Sequence, residues 1–468
     1  MKSLWGRLDL SYIYAFLGEA TLGLTFVFYI LIARTLGPEQ YGLFAAATAL
    51  GGILAFFIQF GLPNLLVREV AAYPQEGPKS TVTFLLLEGL NSLPVLLLLL
   101  PLAYALGFEG HGIIVCYLVV LAEVCRSAKQ TLRSVLRGLS QFRTETVAVA
   151  LERSLVVVAA GAALLWTESL IWVVVVLVSV RLLDIFGLLF FVSRRVQIWS
   201  PLSFGQLKQA LQKAYPFALS GVLWVLYYQV DVLMLKVLAT PEEAGFYSAS
   251  YRLLEIFSAL PRVIFYVALT RFTRCHMKNP EQLPQEMGQT TRLLLAVMVP
   301  VLLIAEFLQF TLVETVYGSE FFPAIASLSI LLPSLSIKIF GNLVGSFLQA
   351  TGREKHLPRL LLATVIVNVA SNFMLIPWLG AAGAALATLL SEVVLAVAGL
   401  SLMSNIQYQR LGQRLRQVAA ISLITVAMPS LILNGLNPAI GMGIMLAGIA
   451  MIVALVRPAR LLDKPRTV

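Results

Sequence analysis

Charge is the scarcest property of this sequence. Asp, Glu, Lys and Arg make up 12% of its 468 residues, about half the share found in soluble globular domains. Histidine and cysteine are nearly absent, with three of each. His111, His276 and His356 have no paired metal-ligand spacing. Cys116, Cys125 and Cys275 are too few for a disulfide framework. The longest polar stretches, 193–213 and 271–290, leave no room for a separate catalytic domain. These absences exclude an ordinary soluble enzyme, a disordered chain and a nucleic-acid-binding protein.

Apolar residues fill the space instead: 59% of the chain is hydrophobic and the mean hydropathy is +0.86. A helix needs ~20 apolar residues to cross the hydrocarbon of a bilayer. About fourteen such stretches are legible, at 11–33, 41–62, 82–107, 112–130, 146–166, 170–192, 214–239, 246–270, 291–312, 324–350, 358–378, 383–404, 416–434 and 438–456. A membrane β-barrel would instead alternate over segments of about ten residues. The fold class is therefore an all-α polytopic membrane protein with about 14 transmembrane helices. Lys2 and Arg7 precede the first span and no small-residue cleavage site closely follows it, so it reads as an uncleaved helix.

The net charge of +10 is distributed asymmetrically. With a cytoplasmic N-terminus and strict alternation, 27 of the 34 Lys and Arg fall in cytoplasmic segments and only Arg34 in an outer loop. The other six, Arg153, Arg181, Lys236, Arg252, Arg262 and Lys338, fall within spans. The positive-inside rule then predicts both termini in the cytoplasm. It also accounts for the basic balance without a nucleic-acid partner.

The chain repeats itself. Pro38-Glu39-Gln40-Tyr41-Gly42-Leu43-Phe44 after the first span matches Pro241-Glu242-Glu243-Ala244-Gly245-Phe246-Tyr247 after the seventh, at an offset of 203. Tyr12, Ala15 and Gly18 match Tyr215, Ala218 and Gly221 at the same offset, and a looser register near 208 sets Asp184 over Glu392. Two parallel six-helix lobes are expected, 1–205 and 206–405, followed by two additional helices in 406–468. The competing reading is that Pro-Glu-x-x-Gly is simply a good tight turn.

The run Ala33-Arg34-Thr35-Leu36-Gly37-Pro38-Glu39-Gln40-Tyr41-Gly42-Leu43-Phe44 resembles the polysaccharide-transport family. So do Phe60-Gly61-Leu62, Leu66-Val67-Arg68-Glu69-Val70-Ala71, Tyr247-Ser248-Ala249, Tyr251-Arg252-Leu253 and Gln349-Ala350-Thr351-Gly352-Arg353. These are the Wzx-type lipid-linked oligosaccharide flippases of the MATE-like MOP exporter superfamily. The resemblance implies two six-helix lobes, an alternating-access cycle without covalent chemistry, no cofactor, and a polyprenyl-pyrophosphate-linked oligosaccharide as substrate. It further implies a prokaryotic plasma membrane, contact with membrane lipid, and a monomer associated with polysaccharide assembly machinery. Two alternatives stand beside it: a MATE-like cation-coupled exporter of small amphiphiles, and a membrane glycosyltransferase, polymerase or ligase. The second would need a catalytic loop longer than any outer loop here.

Fifteen charges lie within spans: the six cations above and Glu19, Glu88, Glu123, Glu152, Asp184, Asp231, Glu255, Glu306 and Glu392. Facing lipid at mid-membrane, each would cost about 2.5–3.5 kcal/mol. They must pair or line water. Arg181 with Asp184 and Arg252 with Glu255 are i,i+3 and can meet on one helix face. Arg252, matching an arginine common in the family, is the leading candidate for contact with a phosphate headgroup. Arg34 and Lys236 are candidates for an outer cationic rim or for interfacial anchors, and Arg153, Arg181, Arg262 and Lys338 complete the candidate substrate-binding set. Arg126, Lys129, Arg133 and Arg137, spaced 3, 4 and 4, share one helix face. That face reads as a cytoplasmic platform, for pyrophosphate or for anionic lipid.

Asp231, Asn368, Asn372 and Thr388 offer hard oxygen ligands for a coupling cation, sodium or proton. The Asn-x-x-x-Asn spacing followed by Thr388 resembles the sodium site of lipid II flippases, which carry Asp where Asn372 stands here. Polar interhelical contact is the alternative for these four. Lipid II flippases also tend to carry arginines within the first span. This first span has none before Arg34, which argues against lipid II as substrate.

Overall fold

A computed structural model describes residues 21–199, 204–406 and 409–455. All regular structure among these residues is helical. The helices are α1 (Leu22–Gln59), α2 (Leu62–Ala72), α3 (Thr81–Ala105), α4 (His111–Gly138), α5 (Phe142–Thr167), α6 (Leu170–Ser193), α7 (Phe204–Leu238), α8 (Pro241–Lys278), α9 (Leu283–Phe307), α10 (Gln309–Tyr317), α11 (Ala324–Ala350), α12 (Leu357–Ile406), α13 (Gln409–Leu433) and α14 (Pro438–Leu455). Twelve of them are long and apolar enough to cross a membrane; α2 and α10 are short.

The difference between twelve and the expected fourteen lies at two places. Residues 22–33 of the expected span 11–33 and 41–59 of the expected span 41–62 fall within α1, and 358–378 and 383–404 fall within α12; residues 11–20 of the first expected span lie outside the described residues. At 38 and 50 residues, straight helices would run about 57 and 75 Å, far beyond a hydrocarbon core of ~30 Å. Each is interrupted by one non-helical glycine: Gly37 (φ 74°, ψ 178°) and Gly380 (φ 52°, ψ −129°). Only glycine adopts such angles without strain. At Gly37 the following Pro38 restarts the helix, and its ring demands extended backbone before it. Thr240 meets the same demand before Pro241, with ψ 161°, and its hydroxyl accepts the Glu243 backbone N–H at 3.2 Å. The two Pro-Glu motifs of the repeat thus begin helices in the same way. Phe44 and Tyr247, matched at the offset of 203, are both buried.

The chain divides into two compact units, one ending at Val237 and the other beginning at Leu238. The helix α7 therefore groups with the first unit. Each unit has a hub. In the first, α4 packs on α1, α2, α3, α5 and α6. In the second, α11 packs on α8, α9, α12 and α13, and it is the most buried of the twelve candidate spans. In the span count read from the sequence, α4 and α11 are each the fourth span of their expected six-helix lobe. Leu62, Leu66, Phe84, Leu87, Leu132, Leu136, Leu188 and Val192 close one end of the first unit into a continuous apolar core.

In the second unit the break at Gly380 is held from outside its helix. The Glu243 carboxylate of α8 accepts the Ala381 backbone N–H at 2.6 Å, supplying an acceptor to a helix start that lacks one. A Cβ at position 380 would overlap that carboxylate. Gly380→Ala is expected to destabilise the protein by at least the about 1–3 kcal/mol of backbone strain. Thermal unfolding of the detergent-solubilised protein, read by tryptophan fluorescence, checks this.

Candidate functional site

The cation stripe of α4 turns inward. Lys129 and Arg133 are 4% and 6% exposed, so the expected cytoplasmic platform is corrected at its centre. The reason is that α5 and α6 bring carboxylates to this face. Glu152 of α5 accepts from Lys129, and from Arg133 at 3.1 Å. Arg133 also reaches Asp184 of α6 at 3.0 Å. Arg181 of α6 donates to Glu123 of α4 at 3.0 Å, and Glu123 also meets Arg126 on its own helix. Arg137 closes the stripe on Glu145 at 2.5 Å. The expected Arg181–Asp184 pair along α6 is therefore replaced by two pairs to α4. An acid placed after its cation is the weaker helical order, and α4 offers each group an opposite charge across the packed interface.

The second unit repeats this pattern in reduced form. Lys338 of α11 lies 3.4 Å from Glu392 of α12, whose side chain is buried. Asp184 and Glu392, aligned near an offset of 208, thus both pair with a cation on the hub helix of their own unit. Arg133 and Lys338, the cations involved, stand at the closely similar offset of 205.

Other expected site residues have partners inside their own unit. Lys236 is buried; its ammonium donates to the Leu106 carbonyl at 2.6 Å and sits 4.1 Å from the Phe108 ring centroid. It fastens α7 to the loop between α3 and α4. Arg153 donates to the Thr21 hydroxyl at 2.6 Å. Arg34 is exposed, three residues before the break at Gly37.

Among the expected intramembrane charges of the second unit, the accessible ones lie on α8. Arg252 donates to Glu255 at 2.7 Å, as the i,i+3 spacing predicts, with side chains 28% and 44% exposed. Arg262 is exposed and reaches the Glu255 carbonyl at 3.5 Å. Residues 252, 255 and 262 share one helix face, where Arg252 meets the Glu255 carboxylate and Arg262 the Glu255 backbone carbonyl.

The four candidate cation ligands divide between the units. Asp231 is buried in the first. In the second, the Asn372 amide donates to the Asn368 side chain at 3.1 Å, and both are buried. The Thr388 hydroxyl lies 3.0 Å from the Tyr247 hydroxyl, a contact the sequence did not disclose. The described residues contain no group of three or more His, Cys, Asp or Glu arranged to hold a metal ion.

Two buried carboxylates stand outside the ion pairs. Glu88 of α3 accepts the Thr131 hydroxyl at 2.6 Å. Glu306 of α9 accepts the Ser430 hydroxyl. The Ser430 and Gln309 partnership with Glu306 escaped sequence reasoning, although Glu306 and Gln309 visibly interrupt an apolar run.

Comparison with known proteins places this architecture. The fold resembles an inward-facing multidrug-resistance MATE family transporter of the MOP superfamily, with a TM-score of 0.70 and 14% identity, over 84% of this chain and 98% of that one. It equally resembles the lipid II flippase MurJ in an inward-closed conformation, with a TM-score of 0.69 and 13% identity, over 95% of this chain and 98% of that one. A curated relative, the probable low-salt glycan biosynthesis flippase Agl15 of Haloferax volcanii, is 24% identical over 404 residues, 83% of each chain. The fold is MATE-like and, among the described residues, has twelve helices long and apolar enough to cross a membrane. The chain belongs to the polysaccharide biosynthesis protein family, whose model matches residues 11–276.

Glu152→Gln is expected to leave Lys129 with no counter-charge and Arg133 with one fewer. Removing one partner of a buried pair costs about 3–5 kcal/mol. Adding Lys129→Met, which removes the stranded ammonium while Arg133 keeps Asp184, is expected to recover most of that loss. Yield and unfolding temperature of the solubilised variants measure both effects.

Proposed function

We propose that this protein is a flippase that moves a polyprenyl-pyrophosphate-linked oligosaccharide from the cytoplasmic to the outer leaflet, by alternating access, for cell-surface polysaccharide biosynthesis. The observation that carries the reading is the Arg252–Glu255–Arg262 face of α8 in a chain of the polysaccharide biosynthesis family. These three side chains sum to one positive charge on an accessible face, whereas Lys129, Arg133, Arg181 and Lys338 are engaged in ion pairs within their units. Guanidinium groups bind phosphate oxygens through two parallel hydrogen bonds. The flippase name of the Haloferax volcanii relative supports the same class of substrate.

On this reading the protein lies in a prokaryotic plasma membrane with both termini in the cytoplasm, as the basic-residue asymmetry favours. Outward movement of an anionic headgroup is then helped by an inside-negative potential, at ~2.3 kcal/mol per charge per 100 mV. A coupling cation, sodium or proton, is assigned to Asp231 and to the Asn368, Asn372 and Thr388 set. The protein acts as a monomer associated with polysaccharide assembly machinery.

Reconstitution into vesicles, with transfer of a defined polyprenyl-linked oligosaccharide followed across the bilayer, tests the function. Transport of small cationic amphiphiles without transfer of any such lipid would overturn it. Arg252→Ala is expected to insert normally and to slow transfer roughly tenfold or more, given about 1.5–3 kcal/mol for a hydrogen bond to a charged group. Asp231→Asn is expected to abolish the dependence of transfer on an imposed sodium or proton gradient; unchanged dependence would make Asp231 a structural polar contact.

A further inference from the structure

We propose that the seam between α9 and α13 is a binding site for a monovalent cation, a proton or a sodium ion, held by Glu306, Gln309 and Ser430. Glu306 is the next-to-last residue of α9 and is wholly buried. Its Oε2 accepts the Ser430 hydroxyl from α13, and its Oε1 has no hydrogen-bond partner. Gln309, the first residue of α10, is 2% exposed. Its Nε2 donates to Ser430 Oγ at 3.3 Å, and its Oε1 likewise has no partner. Donation therefore runs from Gln309 through Ser430 to Glu306, and the two oxygens left over are both acceptors. The missing component is positive.

Three features strengthen that conclusion. The buried carboxylates Glu123, Glu145, Glu152 and Glu392 are each ion-paired to Lys or Arg, whereas Glu306 is not. The last turn of a helix concentrates unsatisfied carbonyls and negative potential, so an added carboxylate there repels its own backbone. Around Glu306, α8 carries Glu243, engaged by Ala381, and Arg252, paired with Glu255. On the other neighbours, Lys338 of α11 meets Glu392, Arg416 of α13 donates to Ser401, and Glu314 of α10 is exposed. None of these forms an ion pair with Glu306. A lone carboxylate in such apolar surroundings is costly unless neutralised. A sodium ion suits carboxylate, amide and hydroxyl oxygens. A proton would turn one of the two leftover acceptors into a donor.

The site is separate from Asp231, Asn368, Asn372 and Thr388 and does not depend on the transported substrate. It ties α13, the first helix beyond the two expected six-helix halves, to the second unit. The test is thermal unfolding of the full-length purified protein in detergent. One series replaces choline chloride with sodium chloride at fixed pH, and another lowers pH without sodium. The unfolding temperature is expected to rise with sodium if sodium is the ligand, or with acidity if the proton is. In Glu306→Gln, a neutral near-isostere, that rise is expected to be lost. If sodium is the ligand, the half-saturating sodium concentration is expected to increase severalfold in Gln309→Ala and Ser430→Ala, each of which removes an oxygen ligand, a readout that stands even if Glu306→Gln fails to fold. Infrared difference spectra separate the sources, since only the proton gives a carboxylic-acid band that disappears in Glu306→Gln. A rise of the same size in wild type and all three variants, or no rise in wild type, overturns the proposal.

Discussion

A charge surrounded by hydrocarbon must be neutralised, and much of this protein's internal organisation follows from that requirement. The chain carries few charges, yet many of them lie inside helices long enough to span a bilayer. The first unit resolves the conflict with a ladder. One helix, α4, presents a row of cations, and α5 and α6 supply the carboxylates that meet it. Such ladders are seldom worth more than an equally well-packed apolar interface. Their consequence is specificity of register, because sliding α5 or α6 by a turn strands several charges at once.

The same device appears once in the second unit, where α11 meets α12 through Lys338 and Glu392. In both units the hub helix carries a cation that a carboxylate of another helix in the same unit neutralises, Arg133 by Asp184 and Lys338 by Glu392. The internal repeat is thus physical as well as textual. Weak identity at offsets of 203 to 208 persists where it preserves a helix start at Pro38 and Pro241, or a buried counter-charge at Asp184 and Glu392. The remaining positions need only be apolar, so they are free to diverge.

Partnership inside a unit also sorts the charges by availability. Lys236, Arg153, Arg181 and Lys338 are engaged in local contacts, which gives each a structural purpose. The α8 face differs. There Arg252 pairs with Glu255, Arg262 reaches the Glu255 backbone carbonyl, and both cations keep solvent exposure, which is why the proposed headgroup contact rests on that face and not on the more numerous buried cations.

Much of the architecture was legible because a bilayer reduces folding to a few strong rules. Apolar runs of sufficient length, the bias of Lys and Arg between alternate loops, and the Pro-Glu helix starts are local features of the chain. So is the Arg252–Glu255 pair, because i,i+3 spacing on a helix is itself a distance. Partnerships between helices were not legible. Arg181 could be assigned to Asp184 by spacing, but α4 brought Glu123 closer. The stripe from Arg126 to Arg137 could be given a common face, but not a direction, since helical periodicity says which residues share a side and nothing about what packs there. Two spans became one element at Gly37 and again at Gly380, because a single left-handed residue can replace a loop. The sequence by itself determined an all-helical chain with many helices of membrane-spanning length. Only the tertiary structure decided which charges neutralise one another, because that depends on which helices come within a few ångströms, and hydrocarbon enforces the pairing without specifying the partner.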